Sequence, residues 1–166
     1  MEIRHSERCD LPQITALFNY YIEHTNARFE EQAFSVESRK EWFNQFSNET
    51  KYQIVVACEN DIVIGFACSQ PYRDSKAFSE TVETSIYIDS DYKGRGVGKA
   101  LYRHLFANIG KYEIHRALSG IALPNEASIA LHEYFGFKKV GTFDEYAKKH
   151  GQYISSAWYE KTWKRD

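Results

Sequence analysis

The chain has 166 residues, 43% of them hydrophobic and 16% aromatic, which is enough apolar material for one buried core and excludes a disordered chain. Its 21 basic and 23 acidic residues leave a formal charge of -2, so no global field draws it to nucleic acid or to an anionic membrane. No apolar run approaches the roughly 18 residues of a spanning helix, Met1 to His5 lacks the apolar stretch of a signal peptide, and a soluble cytoplasmic protein is expected.

In chain order, Glu2 to Glu7 is a predicted short strand. Asp10 then caps a helix whose Leu11, Ile14, Leu17, Phe18 and Ile22 recur at helical spacing. Ser35 opens a second amphipathic segment with Trp42, Phe43 and Phe46. The period then changes to two. Tyr52 to Cys58 and Ile62 to Ser69 read as a hairpin about Glu59-Asn60-Asp61, with Gly65 as a bulge position. Thr81 to Asp89 is a further strand, Val97 to Ile109 a helix, Ile114 to Leu123 a strand and Glu126 to Phe135 a helix. Lys138 to Phe143 and Tyr153 to Trp163 close the fold as two strands. The order predicts one mixed α/β domain with helices on both faces of its sheet. Cys9, Cys58 and Cys68 form no C-x-x-C pair and no metal spacing, so all three are expected as buried, reduced thiols and no metal site is expected.

The most informative segment is the glycine-rich run from Asp91 to Ala100, between a strand and a helix beginning near Gly96. Glycines leave the backbone open to an anion, and the first N–H groups of a helix have no internal acceptor and sit at the positive end of its dipole. Lys93, Arg95 and Lys99 add charge, which points to a pyrophosphate. Gly94 and Gly98 enclose three residues where a Walker loop needs four, and Ala100 stands where its magnesium-binding hydroxyl belongs. Neither Gly94-Arg95-Gly96 nor Gly96-Val97-Gly98 continues to a G-x-G-x-x-G, so dinucleotide binding is disfavoured too.

Lys93-Gly94-Arg95-Gly96-Val97-Gly98 resembles the acetyl-CoA loop of the GNAT superfamily, with lysine in place of the usual Gln or Arg. Asn125, Ser128, Leu131, His132, Gly136 and Phe137 resemble the second signature of that superfamily, in its order and spacing. Thr81 to Tyr87, Leu131-His132-Glu133 and His24 to Glu30 are similar to the phosphinothricin and methionine-sulfone acetyltransferase branch. The resemblance implies a mostly antiparallel central sheet with one splayed parallel pair, acetyl-CoA as co-substrate without a metal, a small-molecule amine as acceptor, and a homodimer. It implies that the cofactor lies against Ile86, Tyr87, Ile88, Lys93, Gly94, Arg95, Gly96, Val97, Gly98, Lys99, Ala100, Asn125 and Ser128, with backbone N–H around Tyr87 and Ile88 holding an oxyanion.

An ammonium has no lone pair, so attack on a thioester requires a base. Alternation in the Glu83 strand places Val82, Thr84, Ile86 and Ile88 on one face and Glu83, Ser85 and Tyr87 on the other, which makes Glu83 the candidate base. The alternative is a salt-bridged structural carboxylate. His132 is the second catalytic candidate, near the departing sulfur, against a packing role. Tyr134, two positions further round its helix, is expected in the core. Arg73, Phe78, Phe29 and Glu83 are the expected acceptor site, Arg73 pairing with a carboxylate or phosphinate. Ser75, Phe78 and Gly151 to Ser155 depart from the branch pattern. A peptide or protein amine as acceptor, or a non-catalytic acyl-CoA-binding module, are the rival readings.

Overall fold

The computed structural model describes residues 1–163. The chain runs β1 (Glu2–His5), α1 (Leu11–His24), α2 (Val36–Asn44), β2 (Gln53–Glu59), β3 (Ile62–Pro71), β4 (Thr81–Ile88), α3 (Val97–Ile109), β5 (Arg116–Ala122), α4 (Glu126–Tyr134), β6 (Lys138–Lys149) and β7 (Gln152–Thr162). The seven strands form one sheet in the order β1-β2-β3-β4-β5-β7-β6. Every pairing is antiparallel except β4 with β5. That parallel pair needs a crossover, and α3 supplies it.

Period-two alternation in the central strands separates two cores. Val55 and Ala57 of β2 turn toward α3, where Leu101, Tyr102, Leu105 and Ile109 bury one side of the sheet. Ile54, Val56 and Cys58 turn the other way, onto Leu11, Ile14, Phe18 and Ile22 of α1 and Phe43 of α2. Helices thus lie on both faces, as the sequence predicts. Burial removes these apolar side chains from water and is the dominant favourable contribution to the fold.

The local signals worked unevenly. Ser35 caps α2, its side chain accepting from the Ser38 N–H at 3.1 Å. Asp10 precedes α1 but makes no side-chain cap there. Instead its carboxylate accepts from Arg4 at 2.7 and 2.9 Å and from the Glu7 N–H at 2.7 Å, because a 3-10 turn over Arg8–Asp10 places it back over β1. Cys58 and Cys68 are buried as expected, whereas Cys9 is exposed, since it sits on that same surface turn. β6 runs six residues beyond its expected end, across a register shift between Phe143 and Ala147 in which Glu145 takes a φ of +47°. Among the described residues no helix is long and apolar enough to cross a membrane, and no group of three or more His, Cys, Asp or Glu is placed to hold a metal.

The β2–β3 register shift leaves Ile64 as the extra residue, directly before Gly65, which sits under α3. A Cβ on Gly65 would stand 3.1 Å from the backbone oxygen of Tyr87 and 3.2 Å from Leu101 Cδ1. A strand carbonyl cannot move aside as a side chain can, so Gly65→Ala is expected to cost about 1–3 kcal/mol in urea unfolding. A variant as stable as the wild type would show that α3 has slack there.

Candidate active site

The glycine run adopts the backbone an anion cradle needs. Gly94 and Gly96 take φ of +76° and +81°, a region L side chains rarely occupy, and a Cβ at either would meet nothing within 4 Å. Both therefore face open space. The first bond of α3 joins the Ala100 N–H to the Gly96 carbonyl at 3.1 Å, so the amides of Val97, Gly98 and Lys99 precede the internal ladder. Gly98 and Lys99 border a cleft of about 540 Å³ between this loop and α4, lined also by Lys93, Gly94, Gly96, Asn125 and Ser128. Of the expected cofactor residues, Arg95 stacks outward on Tyr92 at 5.1 Å, Val97 packs into the core, and neither they nor Ala100 line the cleft. Tyr134 is not in the core: it is 56% exposed at the cleft, with Lys99 Nζ 4.0 Å from its ring centre. Its helix buries His132, and two residues on is the opposite side.

The cleft continues into a gap in the sheet. β4 and β5 pair at Thr81↔Arg116, Val82↔Ala117 and Glu83↔Leu118, and then part, although both strands run on. A small cavity of about 50 Å³ fills the opening, and Ile86, Asn125 and Ser128 line both spaces. The Asp89 N–H bonds to the Ile64 carbonyl of β3 at 2.9 Å. Alternation therefore turns the Tyr87 amide to β3 as well and leaves Ile86 and Ile88 facing the gap. This corrects the expected donor pair: Tyr87 belongs to the ladder, and its neighbours on either side carry the open amides. The Tyr21 hydroxyl already bridges Ile88, donating to its carbonyl at 2.7 Å and accepting from its N–H at 3.4 Å. Nothing in the spacing of α1 distinguished Tyr21 from a packing residue.

His132 lies beneath the gap, 1% exposed. Its Nδ1 is 2.7 Å from the Ser128 carbonyl, which only accepts, so Nδ1 carries the proton. Nε2 is then the acceptor, and the Tyr102 hydroxyl, 2.9 Å away, must donate to it. Tyr102 itself is fully buried, beside the hydroxyls of Thr84 and Ser119. Burial pushes His132 down to about 4 from 6.5, outweighing the Ser128 hydrogen bond. Asn125 serves as the cap of α4, accepting from the Ser128 N–H at 3.2 Å.

On the other face of β4, Glu83 is half-buried, and desolvation raises its carboxyl above the usual carboxylate range, with Arg28 opposing. Arg28 donates to the Tyr87 hydroxyl at 3.3 Å and to Glu30 at 3.0 Å, and lies 4.6 Å from the centre of the Phe18 ring. Arg39, 7% exposed, stacks at 3.6 Å on Trp42 and 4.4 Å on Phe18, and its Nε and Nη2 find no partner. Burial and Arg28 lower it to about 10. Glu83 and the Tyr87 face are thus brought to two arginines that composition alone did not single out. Arg73 is exposed on the loop after β3, against Tyr72 at 5.2 Å and Phe78 at 5.8 Å. Phe29 is 37% exposed, edge-on to Tyr146 at 5.8 Å, and lines neither the cleft nor the gap.

The sequence profile of the acetyltransferase (GNAT) domain family matches residues 3–158. A phosphinothricin N-acetyltransferase from Streptomyces coelicolor is 39% identical over 163 residues, covering 97% of this chain and 95% of that protein. The crystal structure of a ribosomal-protein-alanine N-acetyltransferase from Brucella melitensis superposes with a TM-score of 0.91 at 31% identity, over 98% of this chain and 99% of that one. That of a phosphinothricin acetyltransferase from Sinorhizobium meliloti in complex with AcCoA gives 0.91 at 28% identity, over 98% and 88%.

The depressed His132 pKa has a measurable consequence. Unfolding lets the imidazole take up a proton that the folded state refuses, so its contribution makes stability fall as pH drops from 6.5 toward 4. The loss at pH 4.5 should be roughly 2–3 kcal/mol. Urea unfolding of wild type and His132→Gln at pH 7 and pH 4.5 measures it, and the variant should lack that share of the acid sensitivity. Equal slopes would exclude His132 as the source.

Proposed function

The chain belongs to the acetyltransferase (GNAT) domain family, and from that premise we propose that it transfers the acetyl group of acetyl-CoA to the amine of a small amino-acid analogue such as phosphinothricin, methionine sulfone or methionine sulfoximine. The observation that carries this reading is continuity: the glycine-lined cleft opens into the β4–β5 gap, and the gap begins one residue after Glu83. The chemistry of the cleft fits the co-substrate. Amides at the start of α3 with Lys93 and Lys99 suit a pyrophosphate, while Ile86, Ile88 and Leu131 give an apolar wall for a pantetheine arm. When bound, acetyl-CoA supplies a thioester activated toward amines.

The residues of the chain do the rest. Glu83 takes the proton from the incoming ammonium, directly or through water, and its raised pKa brings it nearer to the strength such a base needs at neutral pH. The amides of Ile86 and Ile88 face the gap where an oxyanion forms, and Tyr21 must yield its bond to the Ile88 N–H for that donor to serve. His132 acts as support rather than as acid: its one N–H is committed to Ser128, its lone pair to Tyr102, and it stays neutral. No donor is demanded there, since a thiol of pKa about 8.5 leaves readily as thiolate. Arg73 and Phe78, on the loop leading into β4, and the exposed Phe29 complete the acceptor side. The reading also includes a cytoplasmic location and, implied by the family resemblance, a homodimer.

Thiol release from acetyl-CoA with these three amines tests the assignment, and no turnover on any amine would defeat it. The base must be ionised, so kcat/KM is expected to rise with pH through the elevated pKa of Glu83. Glu83→Gln should abolish that limb and lower the rate about 10²- to 10⁴-fold, with acetyl-CoA affinity by calorimetry unchanged. Gly96→Asp should do the converse, weakening acetyl-CoA at least about tenfold by adding a carboxylate where phosphate oxygens belong.

A further inference from the structure

The tip of the β6–β7 hairpin, more than a hundred residues from α1 in sequence, holds the segment that carries Arg28. Lys149 is 3% exposed, and its ammonium donates to the carbonyls of Ile22 at 2.5 Å, Thr25 at 2.8 Å and Arg28 at 2.8 Å. Three donors meet three acceptors, so the ammonium is fully satisfied without a carboxylate. Ile22 lies in the last turn of α1, where a carbonyl has no internal N–H to accept from and where the dipole favours a cation. The neighbouring residue takes the far end of the same segment: the His150 N–H donates to Glu31 Oε1 at 2.6 Å. Between these anchors the backbone forms neither helix nor strand, and Arg28 projects to Tyr87 and is the cation whose charge reaches Glu83.

We propose that Lys149 is a positioning residue for the acceptor site, fixing residues 25–31 through their carbonyls so that Arg28 is held against Tyr87, on the face of β4 that carries Glu83. A lysine costs more to bury than an apolar side chain, and apolar contact would serve if only packing were needed. What the ammonium adds is a fixed point common to the helix end, the turn at Thr25 and the arginine itself. Arg28 is thereby held at both ends, by its own carbonyl through Lys149 and by its guanidinium through Tyr87 and Glu30. The acetyl-CoA cleft shares none of these contacts. Loss of the strut therefore disturbs the acceptor and spares the cofactor.

The kinetic arm of the test rests on the acetyl-transfer reading, and the exchange arm does not. In Lys149→Met, amide hydrogen exchange in residues 25–31 should quicken about tenfold or more while α3 and the central strands keep their wild-type rates. With methionine sulfone as acceptor, its KM should rise about tenfold, and the KM for acetyl-CoA should stay within about twofold. Lys149→Gln, which keeps two N–H donors, should fall between and serves if the methionine variant does not fold. Unchanged exchange at 25–31, exchange that rises equally across the sheet, or two KM values that rise together would each overturn the proposal. A wild type that turns over none of the amines defeats the acetyl-transfer reading and leaves the exchange data to decide the role of Lys149.

Discussion

The structure turns on the point where β4 and β5 stop pairing. A parallel pair joined by a helix is ordinarily a continuous ladder, since each open N–H or C=O in a sheet interior must find a partner or water. Here pairing ends after Glu83 and Leu118, and the freed groups are served by other means. The Ser119 hydroxyl donates to the Thr84 carbonyl at 3.2 Å, the Thr84 hydroxyl to the Leu118 carbonyl at 3.4 Å, and Tyr21 bridges Ile88. Side-chain hydroxyls thus fill in for a missing strand edge. That makes the gap tolerable without ligand and leaves it available to one, because a hydroxyl can release a backbone amide more easily than a paired strand can.

The same parting explains why the two faces of β4 take different chemistry. Beneath the gap, Tyr102, His132 and Ser128 of α3 and α4 form one hydrogen-bonded chain, and desolvation keeps the imidazole neutral. Above it, α1 and the segment after it leave Glu83 half-buried among Arg28, Tyr87 and Cys68. The Cys68 thiol is pushed up to about 12 by burial and by Glu83, so it stays protonated and offers no competing nucleophile. One strand thereby presents backbone donors at its edge, a carboxylate on one face and an inert polar support on the other.

How much of this the sequence revealed follows from the range of each signal. Gly94, Gly96 and Gly98 were legible because positive φ and close approach leave few alternatives to glycine, and the helix that follows has its apolar residues four apart. Alternation placed Glu83 on the face of β4 opposite Val82 and Thr84, and the burial of those two residues follows that pattern. Asp10 was misassigned as a helix cap because the 3-10 turn over Arg8–Asp10 folds it back onto Arg4, a contact that helical spacing does not reveal. Tyr134 was misassigned because α4 is nine residues long and its apolar spacing does not say which side meets α3. Tyr21 and Lys149 carried no local pattern, and Arg28 lay in the branch-like stretch His24 to Glu30 with no role assigned to it. Each acquires its role through a contact 59 to 127 positions away, a distance at which periodicity is silent.

That long reach says something about how the acceptor side is built. The cofactor side is assembled mostly from one loop and the two helices that follow β4 and β5, so its geometry is largely local. The acceptor side draws on α1, the segment after it, α2 through Arg39, β4, and the hairpin tip that closes the chain. Its charges are held on aromatic faces and carbonyls as well as on carboxylates: Arg39 on Trp42 and Phe18, Lys149 on three backbone oxygens. Among the described residues neither cation bonds to a carboxylate, and Glu30 acts on both through its charge, opposing the lowering that burial causes. On the proposed reading, an acceptor bearing an acidic group beside its amine would meet Arg28 and Glu83 on one face of β4, the arginine suited to its acid and the carboxylate to its amine.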